Sequence, residues 1–243
     1  MNSARSIDIE DARTIVHSYR VFLSDGIAHE CQNTVKHGPF VGLQLPEHLT
    51  TGRFDKGSMC LGTYEREIQD ELRAESPYFI HFVDLGAGDG FYAGGMARLG
   101  HKVIAYEKDE RSRNTIAELT NLNHVTVDIR GEATKGFWRD LPHRCLMLVD
   151  IEGGEFDILD AAAFDALSQS TVIVEMHEFF FPNGAELARN LLSNASATHS
   201  HSIIRQAARV PPKEVSHLPD NDRWLLMSEA RVREQQWWRF DPK

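Results

Sequence analysis

Cysteine is scarce in this chain: Cys31, Cys60 and Cys145 are odd in number, widely spaced and form no C-x-x-C pair. That excludes a disulfide framework and a thiol-clustered zinc site. Cys145 lies in an apolar run and is expected to be a small core residue, so a reducing compartment fits and a thiol nucleophile does not. No apolar run reaches the roughly 18 residues of a membrane span. The opening MNSARSIDIEDARTIV has no charged-then-apolar leader, and a cytoplasmic location is expected. Positive charge is also short, with 26 basic against 36 acidic residues and a formal charge of −10. Such a field opposes a nucleic-acid partner. The best basic candidate, Arg231-Val232-Arg233 with Arg239, is interleaved with Glu234 and is expected at a solvated strand edge. Repeats and low-complexity tracts are absent. What remains is ordinary globular composition, 42% hydrophobic and 26% charged, long enough for one large α/β domain or one domain with an appendage.

Against that background one stretch stands out, Phe82 to Tyr92, reading FVDLGAGDGFY. An apolar run ends in Asp84 and is followed by Gly86, Gly88 and Gly90 at alternate positions. Glycine can take φ > 0 and lets backbone lie against a ligand where a side chain would collide. A helix follows whose first amides point back at the turn. A second apolar strand, Lys102 to Tyr106, then ends in Glu107, 21 residues after Gly86. This matches the spacing by which βαβ folds bring a carboxylate to a ribose. The third glycine comes one residue too early for the dinucleotide pattern G-x-G-x-x-G. Asp84 and Asp89 flank the loop, and two carboxylates suit an ammonium and a sulfonium better than a pyrophosphate. The pattern D-x-G-x-G-x-G after a strand resembles motif I of class I S-adenosylmethionine-dependent methyltransferases.

The rest of the chain divides at Pro77. Residues 1–77 read as an N-terminal helical extension that caps the substrate. It has an amphipathic helix over Asp11–Leu23, with Ile15, Val16, Tyr19, Phe22 and Leu23 on one face, and another over Thr63–Ala74 with Thr63 as N-cap. Residues 78–243 alternate strands and helices, the signature of a parallel sheet covered on both faces. Strands are expected at Tyr78–Leu85, Lys102–Tyr106, His124–Asp128, Cys145–Asp150 and Thr171–His177, then at Ser200–Arg209 and Arg223–Ala230. Helices are expected at Phe91–Leu99, Glu110–Leu122, Glu155–Leu167 and Asn183–Ser193, with a weaker one near Thr134–Leu141. The expected fold is a Rossmann-like α/β class I methyltransferase fold: a seven-stranded, mostly parallel sheet with an antiparallel last strand. The terminal Trp237-Trp238-Arg239-Phe240 is expected to pack back onto the domain, with a homo-oligomer contact as the alternative.

A ligand in such a sheet sits at the carboxyl ends of its strands. Glu107 offers two oxygens for two ribose hydroxyls. Asp128-Ile129 end the third strand, where adenine contacts are common in this class. The fourth strand runs into CLMLVDIEGGE, where Asp150 and Glu152 project to one side while the chain is extended. In the fifth, TVIVEMHEFF puts Glu175 and His177 on one face. Burying so many ionisable groups for structure alone would be expensive.

The pairing of VDIEGGEFDIL with a later VEMHEFF is similar to the FkbM-type methyltransferase family, over roughly residues 80 to 180. That family has K-x-D-x-E-G-x-E-x-x-V-L followed by an I-x-x-E strand; here Leu148 stands where lysine is usual and Gly154 where alanine is common. The resemblance implies S-adenosyl-L-methionine as cofactor, held by Asp84, Gly86, Ala87, Gly88, Gly90, Glu107, Lys108, Asp128, Ile129 and Asp150. It implies O-methylation of a small molecule or glycoside. His177, Asp150, Glu152 and Glu175 are the catalytic candidates. His177 is the best single base because its ordinary pKa is nearest neutrality. Alternatively Asp150, Glu175 and His177 hold Mg²⁺ or Mn²⁺. The chain lacks an Asp/Asn-Pro-Pro-aromatic segment and a Tyr-x-x-x-Lys relay. The competing readings are an NAD(P)-dependent oxidoreductase and a non-catalytic module that keeps the cofactor fold.

Overall fold

A computed structural model describes residues 8–229, 231 and 233–243. The first seven residues, Ala230 at the end of one expected strand and Val232 in the basic run lie outside the described residues. Seven strands form one sheet: β1 (His81–Leu85), β2 (Lys102–Tyr106), β3 (Val127–Arg130), β4 (Leu146–Val149), β5 (Thr171–Glu175), β6 (His199–Arg205) and β7 (Gln236–Pro242). Their order is β3-β2-β1-β4-β5-β7-β6. The pairs β1–β2, β1–β4, β2–β3 and β4–β5 are parallel, and β7 runs antiparallel between β5 and β6. The expected seven-stranded architecture with its reversed last strand is the observed one.

The central strands are buried on both faces, as parallel strands flanked by helices must be. Phe82, Ala105, Leu148, Ile173 and Trp237 join one core, packed by α1 (Ile9–Glu30), α2 (Lys56–Leu61), α3 (Arg66–Glu75), α4 (Phe91–Arg98), α5 (Glu110–Asn123) and α9 (Asp220–Met227). Val83, Leu85, Met147, Val149, Val172 and Val174 join the opposite core, under α6 (Glu155–Ile158), α7 (Ala161–Ala166) and α8 (Gly184–Ala195). The helices before residue 77 therefore share one core with the sheet. Each large apolar side chain so enclosed contributes about 1.5–3 kcal/mol. Among the described residues no helix is long and apolar enough to cross a membrane.

The last strand corrects the sequence reading. Arg223–Ala230 was expected to be extended, but Asp220–Met227 is helical, entered from Pro219 with Asp220 and Asp222 in its first turn. The strand is QWWRFDP. Adjacent tryptophans look like one patch in sequence, yet on a strand they face opposite sides. Trp237 enters the first core and Trp238 packs on the second. Trp237 and Phe240 are buried and so pack back onto the domain.

The N-terminal helices keep the expected period with a different phase. α1 buries Arg20, Leu23, Ser24, Ile27 and Ala28, and of the expected face only Leu23 is buried; Ile15, Val16, Tyr19 and Phe22 are exposed. Ser24 turns inward because its hydroxyl accepts from the Gly57 amide (2.8 Å), and a Cβ on Gly57 would lie 2.9 Å from the Ser24 Cα. The helix expected over Thr63–Ala74 starts instead at Arg66. Thr63 does not cap it; Glu65 holds the N-cap position at φ 40°.

Smaller differences have local causes. His124 closes α5 at φ 53°, delaying β3 to Val127. Asp160 caps α7 by accepting from the Ala163 amide, which splits the expected Glu155–Leu167 helix in two. Near Thr134–Leu141 only a 3-10 turn forms, over Phe137–Asp140. The three cysteines are free and buried, and burial pushes the Cys145 thiol up to about 11.

Candidate functional site

The site is built where β1, β2, β4 and β5 end. Gly86 takes φ 85°, and a Cβ there would lie 1.7 Å from the Asp150 carbonyl oxygen, so only glycine lets the β1 turn rest on the end of β4. Gly90 at φ 87° opens α4 against Ile116. At the end of β2 the two oxygens of Glu107 accept from the amides of Gly88 (2.9 Å) and Asp109 (2.8 Å). The glycine loop thus fixes the carboxylate that faces it. Beside them opens a cavity of about 830 Å³, lined by Gly86, Gly88, Tyr106, Glu107 and Lys108 on one side and by Asp150, Ile151 and Glu152 on the other.

Not every expected residue reaches that cavity. Ala87 and Gly90 shape the loop without lining it. Asp128 points to solvent, where the Arg130 guanidinium donates to it at 2.7 and 2.9 Å, and Ile129 packs into the core. The wall expected from them comes from Glu132, Ala133, Thr134 and Lys135, just beyond the strand. β3 starts three residues later than expected, which carries the turn at its end past Asp128.

The two aspartates of the loop have separate roles. Asp89 is not aimed at a ligand: its carboxylate accepts from the amides of Thr50, Thr51 and Gly52 at 2.7–2.9 Å. It fastens the N-terminal segment across the glycine loop and sets Thr51 into the cavity wall. Asp84 is buried and accepts from the Ala93 amide, yet its Oδ2 has no partner. Burial pushes its pKa up to about 7, and the negative charge of Glu107 adds to this.

Beyond Asp150 lies a buried acidic cluster. The turn after β4 holds Glu152 at φ 53° and Gly153 at φ 102°, the former an uncommon conformation for a side-chain-bearing residue. Glu155, fully buried at the start of α6, accepts from the Gly153 amide (2.8 Å) and the His177 amide (3.0 Å). It also lies 3.3 Å from His177 Nδ1. The other ring nitrogen, Nε2, lies 3.6 Å from Glu152, 3.7 Å from Asp150 and 3.9 Å from Glu175. Burial lowers the pKa of His177, but the Glu155 hydrogen bond and charge, with Glu175 and Glu152, outweigh it and raise it. Asp150 is raised well above the usual carboxylate range by desolvation and then by Glu175, Glu65 and Glu152. The structure thus brings His177, Asp150, Glu152 and Glu175 together.

Several residues of this cluster escaped the sequence reading. Arg231 is no strand-edge cation: it reaches inside, donating to Glu65, to Glu175 (2.6 Å) and toward Glu229 (3.4 Å). Glu65 also accepts from the Tyr92 hydroxyl (2.6 Å), and its amide donates to Glu229 (2.9 Å). Burial and Glu175 raise Glu65 to about 8. Arg209 pairs with Glu229 (2.7 Å) and Glu67 (2.5 Å). Glu65 and Arg231 stand 166 positions apart, and no local pattern announces such a pair. One cue existed, the clustering of arginines near the end of an acidic chain. As for metals, one oxygen or nitrogen from each of Asp150, Glu175 and His177 lies within 4.8 Å of the others. Glu175 is already paired to Arg231.

The fold recurs among solved structures. A candidate O-methyltransferase from Klebsiella pneumoniae aligns over 92% of this chain and 90% of its own, with TM-score 0.50 and 11% identity. An rRNA methylase from Streptococcus thermophilus aligns over 74% of this chain and 98% of its own, with TM-score 0.50 and 7% identity. WbdD matches at TM-score 0.50 and 14% identity over 72% of this chain, which spans 39% of WbdD. No protein-family model and no curated protein sequence matches the chain. At such identities the likeness establishes a shared fold, the class I methyltransferase type of α/β sheet, and the chemistry has to come from the site.

Proposed function

We propose that this chain is an S-adenosylmethionine-dependent methyltransferase that methylates a hydroxyl of a small molecule or glycoside, in the manner the FkbM-type resemblance implies. One observation carries the reading: Glu107 is fixed by the amides of Gly88 and Asp109 at the rim of a cavity that runs from the glycine loop to Asp150. Glu107 has the geometry to take two ribose hydroxyls on the lone pairs its amides leave free. Glu132 to Lys135 offer the wall for the base, in place of Asp128 and Ile129. Asp150, which lines the cavity and has a buried oxygen lacking a partner, favours a ligand that brings positive charge. S-adenosylmethionine, when bound, supplies a methyl group on a cationic sulfur.

This chain's residues then have to orient the acceptor and take its proton. His177 fits that role. Glu155 accepts from the His177 amide and lies 3.3 Å from Nδ1, which leaves Nε2 toward Asp150 and Glu152 at the cavity edge. The raised pKa of His177 makes it a stronger base once neutral. A second reading, with Mg²⁺ or Mn²⁺ on Asp150, Glu175 and His177, has the 4.8 Å grouping in its favour; the Arg231–Glu175 pair stands against it. A cytoplasmic location belongs to the proposal as well.

Calorimetric titration with S-adenosylmethionine, S-adenosylhomocysteine and NAD tests the reading. Binding of both sulfur nucleosides without NAD is expected. Binding of NAD alone would instead favour an oxidoreductase. Turnover that disappears with chelator and returns with Mg²⁺ would favour the metal over the histidine.

A further inference from the structure

Resting on the methyl-transfer reading, the residues that follow His177 narrow the acceptor. The chain continues Glu178-Phe179-Phe180-Phe181; Glu178–Phe180 forms a 3-10 turn that sets the Phe179 and Phe180 rings beside the catalytic candidate. The His177 imidazole stacks on Phe180, with ring centroids 5.5 Å apart and planes inclined by 14°. Phe179 leans on Phe180 and is covered by the Arg233 guanidinium at 4.4 Å. Phe180 and Phe181 keep 55% and 37% of their surface exposed. Phe181 is edge-on to Phe156 on α6. A Cβ on Gly153 would lie 2.9 Å from the Phe181 ring, so this aromatic lip is seated on the turn that carries Glu152 and Gly154, both of which line the cavity.

We propose that the acceptor is a phenolic hydroxyl on a flat aromatic ring, the ring lying against Phe180 and Phe181 and its oxygen at His177 Nε2. Exposed aromatic rings, Phe180 and Phe181, beside the Glu152 turn at the cavity edge favour a planar apolar body over a sugar, whose hydroxyls would have to be desolvated there. The acid–base chemistry agrees. A phenol with a pKa of about 10, like that of tyrosine, is within reach of an imidazole base. An aliphatic hydroxyl is about as weak an acid as bulk water, whose pKa is about 15.7, and calls for stronger activation. In the step, the phenolic proton passes to His177 Nε2 as the oxygen attacks the sulfonium methyl carbon. The carbon–sulfur bond breaks with its electron pair left on sulfur, giving an aryl methyl ether and a neutral thioether.

The test uses the full chain with methyl-labelled S-adenosylmethionine and three probes: 2-naphthol, its fully saturated analogue decahydro-2-naphthol, and methyl glucoside. Calorimetric binding of S-adenosylhomocysteine runs beside it. Saturation-transfer NMR of each probe on the loaded protein reports binding independently of turnover. 2-Naphthol is expected to bind, and to be methylated at least about tenfold more efficiently than either other probe. Phe180→Ala should raise its KM roughly tenfold and Phe180→Trp should preserve it, with S-adenosylhomocysteine affinity unchanged in both. Equal or better use of the saturated alcohol or the glucoside would overturn the proposal. So would absence of an NMR contact with 2-naphthol. A Phe180→Ala change that alters the sedimentation coefficient but not the KM would make the lip a contact between copies and likewise overturn it. Failure of S-adenosylhomocysteine itself to bind would sink the methyltransferase reading, a result separable from all of these.

Discussion

The two halves of the site are built differently. The half proposed for the cofactor is open, and most of it comes from one βαβ unit: residues 84 to 109 supply the turn, the helix start and the acid proposed to meet the ribose, and local amide hydrogen bonds hold them. The charged cluster proposed to serve the acceptor is buried and assembled from afar. Glu65, Asp150, the Glu175–His177 pair and Arg231 come from four separate stretches of chain and are held by buried charge. A site made of backbone geometry tolerates no added atoms. One made of ion pairs tolerates no missing charge.

The largest effect is expected on the backbone side. Gly86→Ala would force a Cβ into the Asp150 carbonyl from a positive φ. Binding of S-adenosylhomocysteine should fall below calorimetric detection, while circular dichroism checks that the sheet survives. If affinity drops less than tenfold, the turn is not the rigid floor described. On the other side, His177→Ala should cut turnover by about 10²–10⁴-fold, in the range of a lost general base, with nucleoside affinity little changed. An equal loss in affinity would merge the two halves into one.

Arg231→Met attacks the ion network. It leaves Glu65 and Glu175 buried without their cation, while Glu229 keeps Arg209, and should cost about 3–5 kcal/mol in urea unfolding. The loss should be larger at pH 8 than at pH 6. Glu65, already raised to about 8, favours the folded state most when protonated, and that stability is lost as pH climbs from the ordinary carboxylate range through the folded pKa. A pH-independent loss would mean that the arginine matters for packing alone. Glu107→Ala is smaller. Loss of charged hydrogen bonds should weaken nucleoside binding by about 1.5–3 kcal/mol. Smallest is a pH effect: turnover should rise with pH through a midpoint above the ordinary histidine value of about 6.5, because His177 must be neutral to accept a proton. Glu155→Gln should move that midpoint down.

The same contrast explains what could be read from the chain. Glycines at alternate positions after an apolar run, and an acid 21 residues on, are local marks of a local structure; Gly86, Gly88 and Glu107 stand where that pattern puts them. His177, Asp150 and Glu175 were legible because strand ends converge in any parallel sheet. Arg231 was not, since its partners are 56 and 166 positions away and its neighbours resemble a solvated edge. Asp128 was misplaced by a helix cap at His124 that shifted the strand, a conformation histidine adopts without announcing it. The α1 face failed for a related reason: periodicity fixes which residues share a side, while contact with Gly57 decides which side is buried.

The most direct test of the account is a crystal of this chain soaked with S-adenosylhomocysteine. The ribose hydroxyls should lie on Glu107, the adenine against Glu132–Lys135, and the sulfur should face Asp150 and His177. A nucleoside bound elsewhere, or lying with its sulfur turned away from His177, would contradict it.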